Sequence, residues 1–149
     1  MNAALPQSPP DDAAWAANAR AALAGDDRAF AARFDAGEDI DRLLGARTRA
    51  VDAWVRSAWE RCIGGEPTDL GLFAVGGYGR GELFPHSDID LLVLAEPAVQ
   101  AAQQPALARL FALLWDAGLP VGHAVRSVAE CSEAAAADIT VLTAPPAVP

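Results

Sequence analysis

The run Gly76-Gly77-Tyr78-Gly79-Arg80-Gly81-Glu82-Leu83-Phe84-Pro85-His86-Ser87-Asp88-Ile89-Asp90 holds the residues whose types and spacing could do chemistry. Two glycines directly after an apolar run let the backbone turn tightly and approach a phosphate closely, because no Cβ obstructs either movement. Gly76 and Gly77 are therefore candidate N–H donors, and Ser87 adds a hydroxyl beside the same turn. Asp88 and Asp90 stand two residues apart at the start of an apolar strand, which is expected to place both side chains on one sheet face, roughly 7 Å apart at the backbone. Two such carboxylates can close on a hard cation that also takes oxygens from a polyphosphate, and magnesium suits that donor set better than zinc. Without the cation they would repel each other and the triphosphate.

Neighbouring polar residues are less specific. Arg80 and Glu82 admit two readings, contact with nucleotide or an ion pair that braces the loop, and the same choice applies to Arg126. His86 reads as a surface turn residue, while His123 is either a packing residue or a contact in the site. Trp15, Trp54, Trp59 and Trp115 fall on helical patterns and read as core or interhelix anchors.

The elements that must position this stretch follow from periodicity. Residues 1–12 are expected to be a disordered lead-in, 13–66 a helical region, 67–144 the core that carries the site, and 145–149 a proline-rich tail. Ala13 to Ala24 favours a helix that Gly25 stops, with Asp26 or Asp27 capping a second one over Arg28 to Ala36. Ile40 to Arg61 repeats apolar residues at three- and four-residue spacing and predicts a long amphipathic helix. Short apolar runs at Asp69 to Ala74 and Ile89 to Leu94 predict buried strands on either side of the glycine turn. Pro105 to Ala117 predicts a helix, Pro120 to Val128 a third strand, and Ala129 to Ala137 a last helix. Helices around a few apolar strands indicate an α+β fold built on a mixed α/β sheet.

Composition narrows the functional classes. At 149 residues and 52% apolar content, the chain has the material for one ordinary core. A net charge of −9 argues against the large cationic footprint that DNA or RNA binding requires, and with no lysine at all any phosphate contact must use Arg, backbone N–H groups or metal. Cys62 and Cys131 lack partners at metal-ligand spacing and read as unpaired thiols. No run of eighteen apolar residues and no secretory leader pattern is visible, so the expectation is a cytoplasmic protein without membrane partners.

Gly-Gly-x-Gly-Arg-x-Glu followed by Pro-x-Ser-Asp-Ile-Asp resembles the signature of polymerase-beta-like nucleotidyltransferases. One branch is closer still. FAVGGYGRGELFPHSDIDLLVL (73–94) and FDAGEDIDRLLGARTRAVDAWVRSAW (34–59) are similar to the N-terminal segment of the bacterial uridylyltransferase and uridylyl-removing enzymes that act on the PII signal protein. Gly122-His123-Ala124-Val125-Arg126 and Asp138-Ile139-Thr140-Val141 resemble two further segments of that family, in the same order. The resemblance implies a polymerase-beta-like fold, here incomplete and preceded by N-terminal helices. It implies that Gly76, Gly77 and Ser87, with Arg80, contact UTP, that Asp88 and Asp90 bind Mg2+ as catalytic carboxylates, and that UMP passes to a tyrosine of PII with release of pyrophosphate. The superfamily usually adds a third carboxylate. The stretch Val121 to Val125 holds Gly122 and His123 instead, which leaves Asp138 as the downstream acidic candidate.

Two rival readings stand beside this one. A dinucleotide-binding fingerprint fails on spacing, because Gly77-Tyr78-Gly79 is followed by Gly81, one residue too early. A non-catalytic nucleotide-binding or interaction remnant is the other, since the hydrolase and sensor domains of the resembling enzymes have no counterpart in these 149 residues. On that ground the expectation is a truncated form whose own transfer activity is weak or absent.

Overall fold

Asp39 accepts a hydrogen bond from the Arg42 N–H at 3.2 Å and so caps the helix that the Ile40 periodicity predicts. In the computed structural model, which describes residues 8–64 and 69–137, that helix is α2, Ile40–Cys62. It is preceded by α1 (Ser8–Asp35) and followed by β1 (Gly71–Val75), the single turn α3 (Gly76–Gly79), β2 (Ile89–Leu94), α4 (Pro97–Asp116), β3 (Val121–Arg126) and α5 (Val128–Ala137). The expected α+β arrangement with N-terminal helices is what forms.

Two helices differ from expectation. α1 begins at Ser8, inside the expected lead-in, and runs unbroken through Gly25. An interior glycine costs only about 1 kcal/mol relative to alanine, and tertiary contacts outweigh that. Ala16, Ala19 and Leu23 are buried, Asp27 pairs with Arg47 of α2, and Arg20 donates to the Asp116 carbonyl from Nη2 at 2.8 Å. α4 starts at Pro97 and carries Pro105 in its interior. The first-turn proline needs no N–H partner, and Gln100 anchors that turn by donating to the Ala95 carbonyl at 2.8 Å.

The sheet has the order β1-β2-β3, with β1 antiparallel and β3 parallel to β2. α4 is the crossover between the parallel pair. Register fixes the two faces. Ala74, Leu91 and His123 form one row and Leu72, Val93 and Val125 the next, all facing α2 and α4. On that side Ile89, Leu91 and Val93 share a core with Val51, Val55 and Ala58 of α2 and Leu110, Phe111 and Leu114 of α4. The opposite face presents Val75, Asp90 and Gly122 in one row, then Phe73, Leu92 and Ala124. Leu92, Leu94 and Cys131 of α5 form a smaller cluster there. Ser127 and Glu130 start α5 with a reciprocal capping box, Glu130 N–H to Ser127 Oγ at 3.0 Å and Ser127 N–H to Glu130 Oε1 at 2.7 Å.

Side chains tie the helical layer together. Trp15 and Trp54 meet edge to face at 5.5 Å, and Trp15 Nε1 donates to Ser57 Oγ at 3.0 Å. Asp12 of α1 receives Arg109 of α4 in a two-pronged bond of 2.7 and 2.8 Å, and Arg61 of α2 at 3.2 Å. The Arg109 hydrogen bond is the main cause that holds the Asp12 carboxyl below its ordinary value of 3.8, against burial, which raises it. A carboxylate depressed in the folded state stabilises above the unfolded pKa, and that contribution is lost as pH falls through the folded pKa. Asp12→Asn is therefore expected to lower stability by about 1 kcal/mol at pH 7, with the difference shrinking as the pH falls below the ordinary carboxylate value of 3.8, as read from urea midpoints on either side of it.

Candidate functional site

β1 delivers the chain into the glycine turn and β2 carries it away, so the antiparallel pairing of Val75 with Asp90 sets the turn beside the acidic strand. Gly76, at φ +62°, opens α3, and Gly77 follows it. The turn is closed by hydrogen bonds from Arg80 N–H to the Gly76 carbonyl at 3.1 Å and from Glu82 N–H to the Gly77 carbonyl at 2.9 Å. Gly79 has no alternative at its position, because a Cβ there would lie 2.6 Å from the Ala74 carbonyl oxygen.

Asp90 sits between two glycines. A Cβ on Gly76 would stand 3.0 Å from its Oδ2, and one on Gly122 would stand 3.1 Å from its Oδ1. The carboxylate thus occupies a slot that exists because both neighbours lack side chains, on the face away from α2 and α4. Burial alternates along this stretch: Asp88 is exposed, Ile89 fully buried, Asp90 half-buried. Asp88 lies one residue before β2, and Ser87 donates its N–H to the Phe84 carbonyl at 3.0 Å.

The remaining candidates divide. Arg80 pairs with Glu82 at 3.1 Å, both side chains well exposed, which is the loop-bracing arrangement. Exposed pairs of this kind contribute little stability, and the Arg80 guanidinium lies at the exposed rim of the turn. His86 is an exposed turn residue at φ +67°. His123, exposed, stacks on Phe111 at 3.9 Å on the helical face, across the sheet from Asp90. Arg126 occupies the last register position opposite Leu94, on the Asp90 face. Asp138 lies outside the described residues.

Sequence reasoning missed three contributors. In the sequence Gly122 marks only the absence of an acid, yet in register it is the residue opposite Asp90. No local pattern pairs Tyr78 with Asp52; Tyr78, almost wholly buried, donates from its hydroxyl to Asp52 Oδ1 at 2.5 Å. Only the middle residue of the glycine motif, aromatic among glycines, hinted at such an anchor.

Carboxylate oxygens in an open slot fit a hard divalent cation in kind. Among the described residues no group of three or more His, Cys, Asp or Glu gathers to hold a metal ion. A divalent cation held by Asp88 and Asp90 would need further oxygens from a bound ligand or water.

A mixed three-stranded sheet, a glycine turn against an acidic strand and helices behind define a nucleotidyltransferase-type domain. Residues 53–139 match the nucleotidyltransferase domain family, and the chain belongs to that family. Such domains act on nucleotides and generally use a divalent metal. The chain is 60% identical over 148 residues to a bifunctional uridylyltransferase/uridylyl-removing enzyme of Xanthomonas campestris pv. campestris, covering 95% of this chain and 17% of that protein. A protein of the same description from Xanthomonas euvesicatoria pv. vesicatoria is 62% identical over 135 residues, 89% of this chain and 15% of the relative. One from Pseudomonas putida is 51% identical over 111 residues, 74% of this chain and 12% of the relative. The chain spans about a sixth or less of the length of the curated relatives it matches. No solved structure matches. Among the described residues no helix is long and apolar enough to cross a membrane.

Proposed function

We propose that this chain carries the uridylyl-transfer site of a PII-modifying enzyme, binding UTP with Mg2+ and directing UMP to a tyrosine hydroxyl of the PII protein. The observation that carries the reading is the Asp90 carboxylate held in the slot between Gly76 and Gly122 beside the glycine turn. The relatives' description supports the choice of uridylyl transfer.

In this reading Asp88 and Asp90 hold the metal, which when bound neutralises triphosphate charge. Gly76 and Gly77 offer backbone N–H groups, Ser87 its hydroxyl and Arg80 its guanidinium to the phosphates. The acceptor oxygen bonds to the α-phosphorus, the bridging bond to the β-phosphate breaks and pyrophosphate leaves. The hydroxyl proton goes to a base, for which Asp138 is the candidate. Most of the rate then comes from holding the reactants in line and offsetting charge, since no covalent intermediate on the protein is required. The reaction belongs in the cytoplasm, where thiols such as Cys62 and Cys131 stay reduced.

Titration calorimetry with UTP, with and without Mg2+, tests the nucleotide site, and mass spectrometry of PII after incubation with UTP and Mg2+ tests the acceptor. Binding that requires Mg2+ and is lost in Asp88→Asn is the expected result; binding indifferent to both would sink the reading. Uridylyl addition to a PII tyrosine, absent in Asp88→Asn, supports the acceptor, whereas addition to another residue type overturns it. Gly122→Ala gives a finer measure. Its methyl group would press on Asp90 Oδ1, and a displacement of a few tenths of an ångström is expected to weaken Mg2+-dependent UTP binding roughly fivefold with little change in melting temperature.

A further inference from the structure

Few side chains of the glycine turn help to keep it in place. Gly76, Gly77, Gly79 and Gly81 bring no side chains, and glycine loses more conformational freedom on ordering than any other residue. Arg80 points into solvent and pairs only with Glu82 two residues on. Within 76–81 the single side chain that enters the protein interior is therefore Tyr78, which is 4% exposed. Its hydroxyl reaches Asp52 Oδ1 on α2, one residue before the stretch that matches the nucleotidyltransferase family. Burial first, and the Asp52 bond second, push the phenol pKa well above its ordinary value, so the hydroxyl stays protonated and donates. Asp52 is half-buried beside Arg56 and Glu60 in a hollow of about 450 Å³ under the turn, walled also by Leu72 and Ala74 of β1. Beside the packing of the Tyr78 ring in the core, the turn meets the helical layer through one directional, charge-assisted bond.

We infer that Asp52 and Tyr78 form a latch in which α2 positions the glycine turn for nucleotide, making Asp52 and Tyr78 positioning residues of the site. This rests on the nucleotide-binding reading above. The latch acts through geometry: Tyr78 follows Gly76 and Gly77 directly, so a shift of its ring moves the N–H groups offered to phosphate and the wall of the Asp90 slot together. A residue that only filled core space would serve as well without its hydroxyl.

Two readouts separate these roles in Tyr78→Phe, Asp52→Ala, Asp52→Asn and the Tyr78→Phe/Asp52→Ala pair. The first is amide hydrogen exchange in the ligand-free chain at Arg80, Gly81 and Glu82, whose N–H groups close the turn. The second is the affinity for UTP with Mg2+. Tyr78→Phe keeps the ring and is expected to fold, with exchange at the three amides about tenfold faster and UTP binding roughly fivefold weaker. Asp52→Ala should match it, and the pair should be no worse than either single change, because both remove one bond. Asp52→Asn should stay near wild type, since its amide oxygen accepts the same bond. Unchanged exchange in Tyr78→Phe, additive losses in the pair, or Asp52→Asn as damaging as Asp52→Ala would each overturn the latch. If the wild-type chain bound no UTP, the nucleotide reading would fall while the exchange data still decided whether the latch holds the turn.

Discussion

Asp90→Asn is expected to abolish most Mg2+-dependent UTP binding, with affinity falling about 30- to 150-fold, while the fold persists. The substitution keeps the volume of the side chain and its place between Gly76 and Gly122, so packing in the slot is undisturbed. What disappears is one negative charge next to a doubly charged cation. Two unit charges 4 Å apart interact by about 4 kcal/mol at the effective dielectric typical near a protein surface, and screening of this half-open site leaves roughly 2–3 kcal/mol. That converts to the range given. Stability should be unchanged or slightly raised, because removing a half-buried negative charge from a protein of net charge −9 relieves repulsion. Calorimetry at saturating Mg2+, paired with a thermal melt of the same sample, checks both halves. A loss of UTP binding accompanied by unfolding would assign Asp90 to structure instead.

Gly79→Ala is expected to be the most destabilising single methyl addition in the motif, at about 2–4 kcal/mol. A Cβ there would lie 2.6 Å from the Ala74 carbonyl oxygen and 3.0 Å from its carbon, both backbone atoms of β1 that cannot rotate away. Relief requires either α3 to lift or β1 to shift against β2, where Ala74 pairs with Leu91 in the core row. Overpacking against backbone typically costs 1–3 kcal/mol, and loss of the turn's hydrogen bonds adds to it. Gly81→Ala is the control. Gly81 sits at φ +74° with open space where the Cβ would go, so its cost is conformational alone, about 1 kcal/mol. Urea denaturation of the two variants side by side tests the assignment. Equal losses would mean that backbone conformation, and not close approach to β1, explains the glycines.

The helices and strands around the site were largely legible because periodicity is a local property. Ile40–Cys62 and Ile89–Leu94 follow from spacing of apolar residues, and the acidic pair and glycines follow from their place between two apolar runs. Gly25 and Pro105 misled for the same reason. Each is a local stop signal worth a few kcal/mol at most, and the burial of Leu23 on one helix and of Leu107 and Leu110 on the other outweighs it through contacts with residues far away in sequence.

By itself, then, the sequence determined that a glycine turn enters an acidic strand and which residue types meet there, and it is from those types that phosphate and a hard cation are proposed. Only the tertiary structure decided what encloses Asp90, what anchors Tyr78 and which face His123 takes. Those depend on strand register and helix docking: Gly122 stands opposite Asp90 only because β3 pairs in parallel at that offset, and a shift of one residue would have placed Val121 or His123 there. Asp52 meets Tyr78 across twenty-six positions of chain because α2 packs on the helical face of the sheet, a contact that no local pattern encodes.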